Sequence, residues 1–146
     1  MHIKFLVEED FVNYKKPSMF IGFPTCNWKC EKECGMRGIC QNSSLATSPT
    51  FDISIEEIVG RYIENPISKA IVFGGLEPMD SWSEMVELID KFRQFTEDEI
   101  VIYTGYKMEE ILDMEMSHPH YDVVVIGGGA AGLMAAGTAA KVGNKV

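Results

Sequence analysis

The residues of this chain best suited to chemistry are four cysteines, Cys26, Cys30, Cys34 and Cys40. Thiolates so close in sequence repel one another and oxidise easily unless they bind something in common. Cysteine sulfur is a ligand both for iron–sulfur clusters and for zinc. The segment 26–42, which we term the cysteine loop, therefore predicts a metal centre. The alternative is a structural zinc site bound by all four thiolates. The spacings between successive cysteines are uneven and looser than such a site usually has.

Two further motifs have the composition of ligand-binding turns. Gly74–Pro78 reads Gly-Gly-Leu-Glu-Pro, and Tyr103–Tyr106 reads Tyr-Thr-Gly-Tyr. Taken alone, the first motif is typical of an ordinary turn between a strand and a helix. Its Glu77 would then be a solvated charge at a helix entry. The sequence is equally compatible with a core position and with a binding-site position for the two tyrosines, since a buried Tyr needs a partner for its hydroxyl in either case.

Each of the three motifs follows a short apolar segment of strand length. Amphipathic patterns opened by capping boxes at Ser54–Glu57 and Ser81–Glu84 predict helices between these segments. The predicted strands are Ser18–Phe23, Lys69–Phe73 and Glu99–Tyr103, and the predicted helices are Ser54–Ile63, Ser83–Gln94 and Met108–Met114.

Strands that are apolar on both faces belong in a parallel sheet covered by helices, so the fold class is α/β. Ligands in such folds collect at the carboxyl ends of the strands, where all three motifs are expected to meet. Ahead of these elements, Ile3–Val7 and Phe11–Tyr14 are compatible with a hairpin. The residues of the second helical region that are expected in the core are Trp82, Met85, Phe92 and Phe95.

Charge and hydropathy narrow the class of partner. The formal net charge is −9, which argues against a nucleic-acid or anionic-membrane surface, because either would require a basic field. The N-terminus becomes acidic too early for an export signal, so we expect a cytoplasmic protein whose cysteines are thiols or ligands rather than disulfides. The uncharged run 123–140 is rich in Gly and Ala, and it makes a poor membrane helix.

The last segment carries a different motif. Tyr121–Ile126 predicts a strand, and Gly127, Gly129 and Gly132 then fit Gly-x-Gly-x-x-Gly before an Ala-rich helical pattern. Such glycines let the backbone approach a pyrophosphate at a helix N-terminus. The acidic residue that should bind a ribose about 20 residues further on is missing. We therefore expect only the opening part of a dinucleotide site.

The cysteine loop resembles the hallmark of the radical S-adenosylmethionine proteins, Cys-x-x-x-Cys-x-x-Cys with an aromatic residue between the first two cysteines. Cys26, Trp28 and Cys30 match this pattern. Cys40 is followed by Gln-Asn, similar to the Cys-Tyr-Asn that ends the motif in the activating proteins of anaerobic ribonucleotide reductase. The resemblance implies Cys26, Cys30 and Cys40 as ligands, with Cys34 in an inserted segment; Cys34 as third ligand is the alternative.

The other two motifs extend the resemblance. Gly74–Pro78 is similar to the family's Gly-Gly-Glu-Pro, with Leu76 inserted, and Tyr103–Tyr106 is similar to its Trp-Thr-Gly-Tyr. By analogy, Gly74, Gly75, Glu77 and Pro78 would hold the methionine amino group of S-adenosylmethionine.

In this family three thiolates leave one iron of a [4Fe–4S] cluster open. One electron then cleaves bound S-adenosylmethionine to a 5′-deoxyadenosyl radical. The resemblance implies a glycyl-radical enzyme as partner, flavodoxin or ferredoxin as electron donor, and an anaerobic cytoplasm.

The tail resembles the N-terminus of flavoproteins that bind FAD. Together, the two resemblances imply three parts. These are a partial (β/α) barrel of the radical S-adenosylmethionine type at 1–114, a linker at 115–120 and an incomplete Rossmann-like β-α unit at 121–146. This arrangement suggests that two coding regions have been joined, and truncation could leave the first part inactive. The alternatives are a fragment of an FAD- or NAD(P)-dependent oxidoreductase and a zinc-stabilised, non-catalytic binding module.

Overall fold

The computed structural model describes residues 1–38, 40, 42–115 and 123–126. The strands are β1 (His2–Ile3), β2 (Phe5–Asp10), β3 (Ser18–Phe23), β4 (Phe51–Asp52), β5 (Ala70–Gly75), β6 (Glu99–Thr104) and β7 (Val123–Ile126). The helices are α1 (Lys29–Cys34), α2 (Ser43–Ala46), α3 (Ile55–Glu64), α4 (Trp82–Arg93) and α5 (Met108–Glu115), and Pro78–Ser81 forms a 3₁₀ turn.

A five-stranded sheet in the order β2-β3-β5-β6-β7 organises the molecule. The four strands from β3 to β7 are parallel, and β2 is antiparallel at the edge. The parallel register places Phe23 opposite Gly75 and Phe73 opposite Ile102, so the carboxyl ends of these strands lie at one edge. We term this edge the rim. β1 and β4 form a separate two-stranded sheet. The structure is therefore mixed α/β, and assignment to a partial (β/α) barrel stays a prediction.

The main core lies between one face of the sheet and helices α3, α4 and α5. Alternate residues of each strand point to this face, as the two-residue period of a strand requires. On the opposite face, Val72, Val101 and Tyr103 pack with Tyr14 and Phe20. The buried strand and helix residues of the main core include Met19, Ile21, Phe23, Ile71, Phe73, Ile100, Ile102, Ile58, Val59, Tyr62, Met85, Leu88, Ile89, Phe92 and Ile111.

The expected hairpin of Ile3–Val7 with Phe11–Tyr14 is wrong. The Asp10 carboxylate accepts hydrogen bonds from the backbone N–H groups of Val12 (3.0 Å) and Asn13 (2.7 Å). This side chain starts a turn that the second segment would need as strand. The hairpin partner of β2 is instead β3.

The two capping boxes behave differently. Ser54 caps α3, since its hydroxyl accepts from the backbone N–H of Glu57 at 3.1 Å. Ser81 makes no such bond, because α4 is entered directly from the 3₁₀ turn and the backbone is already turning there. Its hydroxyl lies 3.3 Å from that of Thr25. Phe95 was expected in the core, yet it is 59% exposed, because α4 ends at Arg93 and the helical period no longer applies.

The final described strand, β7, belongs to the five-stranded sheet. β7 pairs in parallel with β6, with Val101 opposite Val123 and Thr104 opposite Ile126. The division into domains at residue 114 stays a prediction. The candidate phosphate-binding residues Gly127, Gly129 and Gly132 lie outside the described residues, as does most of the expected linker. Among the helices that the structure describes, none is long and apolar enough to cross a membrane.

Candidate metal centre

The cysteine loop leaves the sheet at the carboxyl end of β3. Cys26 is half-buried, and its Sγ accepts a hydrogen bond from the backbone N–H of Trp28 at 3.3 Å. Hydrogen bonds to cysteine sulfur are one of the means by which proteins tune iron–sulfur clusters. The donor chemistry here, cysteine sulfur with an N–H group directed at it, therefore fits such a cluster.

Trp28 holds an unusual backbone conformation between the first two cysteines. Its φ of 58° is the left-handed region, which bulky residues rarely adopt, and among the described non-glycine residues it is alone in this. Helix α1 begins at the next residue and carries Cys30 in its first turn. Strain of this kind costs roughly 1–3 kcal/mol and persists only where surrounding contacts enforce it.

Cys34 and Cys40 lie in different surroundings. Cys34 is the last residue of α1 and is exposed, and its Sγ lies near the carbonyl oxygens of Glu31 (3.6 Å) and Met36 (3.9 Å). Cys40 is half-buried. The two residues offered as alternative third ligands are thus distinguished by exposure.

The segment that contains Cys40 is tied down on both sides. One Glu31 oxygen accepts from the backbone N–H groups of Gly38 (3.0 Å) and Cys40 (3.3 Å). Beyond Cys40, the Asn42 side chain donates to the carbonyl oxygen of Gly75 at 2.9 Å. The Glu31 contact connects Cys40 to helix α1. The Asn42 contact connects the end of the cysteine loop to the Gly-Gly motif.

Cys26, Cys34 and Cys40 are the cysteines whose side chains the structure describes. Among the side chains it describes, no three of His, Cys, Asp and Glu come together as a metal-binding group. The side chain of Cys30 lies outside that description. The ligand set of Cys26, Cys30 and Cys40 therefore stays a prediction.

The Gly-Gly motif lies at the carboxyl end of β5, in close contact with β3. A Cβ on Gly75, whose φ is 86°, would stand 2.8 Å from both Gly22 Cα and Phe23 N. A Cβ on Gly74 would meet the Phe20 ring at 2.7 Å. A larger residue at position 75 would require the backbone of β3 to move, and one at position 74 would require the Phe20 ring to shift.

The motif is also hydrogen-bonded to the start of the cysteine loop. The backbone N–H of Leu76 donates to Phe23 O (3.2 Å), and that of Glu77 donates to Thr25 O (2.8 Å). Leu76, the residue inserted relative to the family motif, is therefore part of a continued pairing between the two segments.

Glu77 is a buried carboxylate, 6% exposed, so the solvated-charge alternative is wrong. One oxygen accepts from Met79 N–H (3.0 Å) and from the Thr104 hydroxyl (2.7 Å), and the other accepts from Gly105 N–H (2.8 Å). Burial raises the pKa of this carboxyl, and the three donors offset the effect only in part. Glu77 thereby joins the Gly-Gly motif to the Tyr-Thr-Gly-Tyr motif.

This raised pKa gives a pH-dependent stability. A carboxyl whose folded pKa exceeds its unfolded value contributes stability below that unfolded value and loses it as pH rises through the folded pKa. We expect the unfolding free energy of the natural chain to fall, relative to Glu77→Gln, as pH rises above the ordinary value of 4.5. The slope is at most about 1.4 kcal/mol per pH unit. Urea unfolding of both chains across a pH series measures it, and a flat or rising difference would contradict the prediction.

The two tyrosines of the Tyr-Thr-Gly-Tyr motif lie in different environments. Tyr103 is 8% exposed and donates to the carbonyl oxygen of Asn13, so it belongs to the core on the second sheet face. Tyr106 lies at the rim, where its hydroxyl donates to Asp80 at 2.5 Å. Burial, and then the bond to Asp80, raise the pKa of Tyr106 to about 12.

Asn27 and Asp80 belong to the site but carry no recognisable motif. Asp80 accepts from the backbone N–H of Asn27 (2.6 Å) and from its side-chain amide (3.0 Å), and the same amide donates to Tyr106 Oη (3.0 Å). The available sequence signal was slight: a polar residue after Cys26 and an acid three residues after Glu77.

Comparison with known families agrees with the chemistry of the loop. The family model described as 4Fe-4S single cluster domain matches residues 18–136, a range that includes every cysteine and all three rim motifs. Comparisons with curated proteins and with solved structures gave no match. The match supports a [4Fe–4S] cluster over the zinc alternative. Since it covers well over half of the chain, this protein belongs to the 4Fe-4S single cluster domain family.

Proposed function

We propose that this chain is a radical S-adenosylmethionine protein that reductively cleaves S-adenosylmethionine and thereby activates a glycyl-radical enzyme such as anaerobic ribonucleotide reductase. A bound [4Fe–4S] cluster supplies one electron for this cleavage. The observation that carries the proposal is the hydrogen bonding of three separate motifs at one rim. Asn42 bonds Gly75 and Glu77 bonds Gly105, and Asp80 of the adjoining 3₁₀ turn bonds Tyr106.

In this proposal the cysteine loop holds the cluster through Cys26, Cys30 and Cys40. Three protein ligands leave one iron available to a small molecule. Cys34, exposed at the end of α1, is left out of the ligand set. Trp28 and Pro78 flank the site on the loop and on the 3₁₀ turn.

The Gly-Gly motif is proposed to hold the methionine end of S-adenosylmethionine mainly through its backbone. Both carboxylate oxygens of Glu77 already accept hydrogen bonds from the chain itself. Glu77 therefore shapes the rim, while Gly74 and Gly75 let β5 pack closely against β3 beside the proposed cofactor position.

The electron is proposed to come from reduced flavodoxin or ferredoxin, in an anaerobic cytoplasm. The partial (β/α) barrel is part of the same proposal, and the parallel strands β3, β5, β6 and β7 support it. No described residue favours the FAD-dependent alternative, whose motif begins at Gly127.

Electron paramagnetic resonance (EPR) of the anaerobically reconstituted, reduced protein tests the proposal. We expect a [4Fe–4S]⁺ signal that changes when S-adenosylmethionine is added, followed by release of 5′-deoxyadenosine. S-adenosylhomocysteine, which has no sulfonium to cleave, is the control for product formation. A cluster signal that ignores S-adenosylmethionine, with no 5′-deoxyadenosine, would refute the proposal and leave the family assignment in place.

A further inference from the structure

We infer that Asp80 and Tyr106 are positioning residues that fix the first cluster ligand, Cys26, through Asn27. They act as a clamp, formed by Asn27, Asp80 and Tyr106, that joins the cysteine loop to the 3₁₀ turn and to the Tyr-Thr-Gly-Tyr motif. The inference rests on the proposed ligand role of Cys26, and it concerns residues that no cysteine pattern identifies.

The hydrogen bonds of the clamp are mutually consistent. The Asp80 carboxylate accepts three: from Asn27 N–H at 2.6 Å, from the Asn27 amide at 3.0 Å and from the Tyr106 hydroxyl at 2.5 Å. The Tyr106 oxygen accepts the second proton of the Asn27 amide at 3.0 Å. Each donor has an acceptor, so the three side chains form a closed network. Bonds to a carboxylate are also stronger than bonds between neutral groups.

The clamp acts on the turn that separates the first two cysteines. The Asn27 side-chain oxygen accepts from the backbone N–H of Lys29 at 2.8 Å, at the first residue of α1. The backbone N–H of Trp28 donates to Cys26 Sγ. Asp80 holds Asn27 by its backbone and its side chain together, so it fixes the turn from Cys26 to the start of α1.

The conformation of Trp28 explains why such a clamp is needed. A tryptophan at φ 58° relaxes unless its neighbours prevent it. Relaxation would rotate the N–H group away from Cys26 Sγ and change the separation of the first two cysteines. The bonds on both sides of Trp28, to Asp80 before it and from Lys29 after it, oppose that change.

A second Tyr–Asp pair offers matched controls. The Tyr62 hydroxyl donates to Asp98 at 2.7 Å, the same two chemical groups, but Tyr62 belongs to α3 and the main core, away from the rim. Asp80→Asn and Tyr106→Phe test the clamp. Asp98→Asn and Tyr62→Phe cost a hydrogen bond of the same kind without touching the cysteine loop.

The test compares the five reconstituted proteins by EPR and by the rate at which a chelator removes iron. We expect Asp80→Asn and Tyr106→Phe to alter the EPR line shape of the reduced cluster and to accelerate iron loss about tenfold, the scale of lost support around a metal ligand. The controls should match the natural protein in both. If Asp80→Asn fails to fold by circular dichroism, the milder Tyr106→Phe decides.

If Asp80→Asn and Tyr106→Phe, the rim variants, leave the line shape and the rate of iron loss unchanged, the inferred role of the clamp is wrong. Equal changes in rim variants and controls would overturn it as well, since a general loss of stability would then suffice. Cys26→Ala tests the underlying ligand role separately. A full cluster in that chain would refute the role of Cys26, and the clamp with it.

Discussion

Replacing Cys40 by alanine is expected to abolish assembly of the [4Fe–4S] cluster, whereas Cys34→Ala should leave it intact. Cys40 is half-buried and held at its backbone N–H by Glu31, and the nearby Asn42 is held to Gly75. Cys34 is exposed at the end of α1. A cluster with an open iron needs three thiolates, so loss of one should leave almost no bound iron and sulfide.

Iron and sulfide analysis after anaerobic reconstitution, together with the visible absorbance of the cluster, measures this difference. Each alanine variant is the control for the other, because both remove one thiol from the same loop. A full cluster in Cys40→Ala and none in Cys34→Ala would make Cys34 the third ligand. Loss in both variants would instead indicate four cysteine ligands, and the cluster would then have no open iron for S-adenosylmethionine.

Glu31→Gln also tests whether Cys40 or Cys34 is the third ligand. It weakens the hydrogen bond that connects Cys40 to α1 without removing a thiol. The Glu31 oxygen accepts two backbone N–H bonds, from Gly38 and Cys40. A neutral amide oxygen accepts such bonds less strongly than a carboxylate does. If Cys40 is the ligand, Glu31→Gln lowers cluster content in the natural background. If Cys34 is the ligand, the substitution leaves the content unchanged.

Strands and helices were predictable here because local pattern and burial agree. β3, β5 and β6 are apolar on both faces, and the parallel sheet buries both. Ser54 caps α3 as its sequence indicates. Ser81 has the same pattern and does not cap α4, because the turn before it depends on contacts of Glu77 that are distant in sequence. A capping box is therefore informative only where the preceding residues are free to adopt an extended conformation.

The rim was predictable as a location but not as a set of contacts. Parallel strands bring their carboxyl ends together, so three motifs following three strands had to meet. Which side chains join them depends on separations of 26–79 residues, from Asp80 with Tyr106 to Asn27 with Tyr106. Asn27 and Asp80 are ordinary polar residues in sequence. Their role follows only from the register that sets β3, β5 and β6 side by side.

The closeness of β3 and β5 at the rim predicts a large effect for Gly75→Ala. Two separate costs lower the unfolding free energy of this variant. The first is the backbone strain of an alanine at φ 86°, about 1–2 kcal/mol. Its Cβ would also stand 2.8 Å from Gly22 Cα and Phe23 N, and overpacking against backbone costs about 1–3 kcal/mol more. We expect Gly75→Ala to lower the unfolding free energy by about 2–5 kcal/mol, a large part of the stability of a domain.

Two other glycines separate these costs. Gly35 has a φ of 71° with open space around its missing Cβ, so Gly35→Ala should show the backbone cost alone. Gly60 lies inside helix α3, again with open space, and Gly60→Ala should stabilise the protein by roughly 0.5–1 kcal/mol. Urea unfolding of the three variants measures the series. The order expected is Gly60→Ala most stable, then Gly35→Ala, then Gly75→Ala. If Gly75→Ala is no less stable than Gly35→Ala, the contact of a Cβ at position 75 with β3 carries no cost, and the overpacking prediction is wrong.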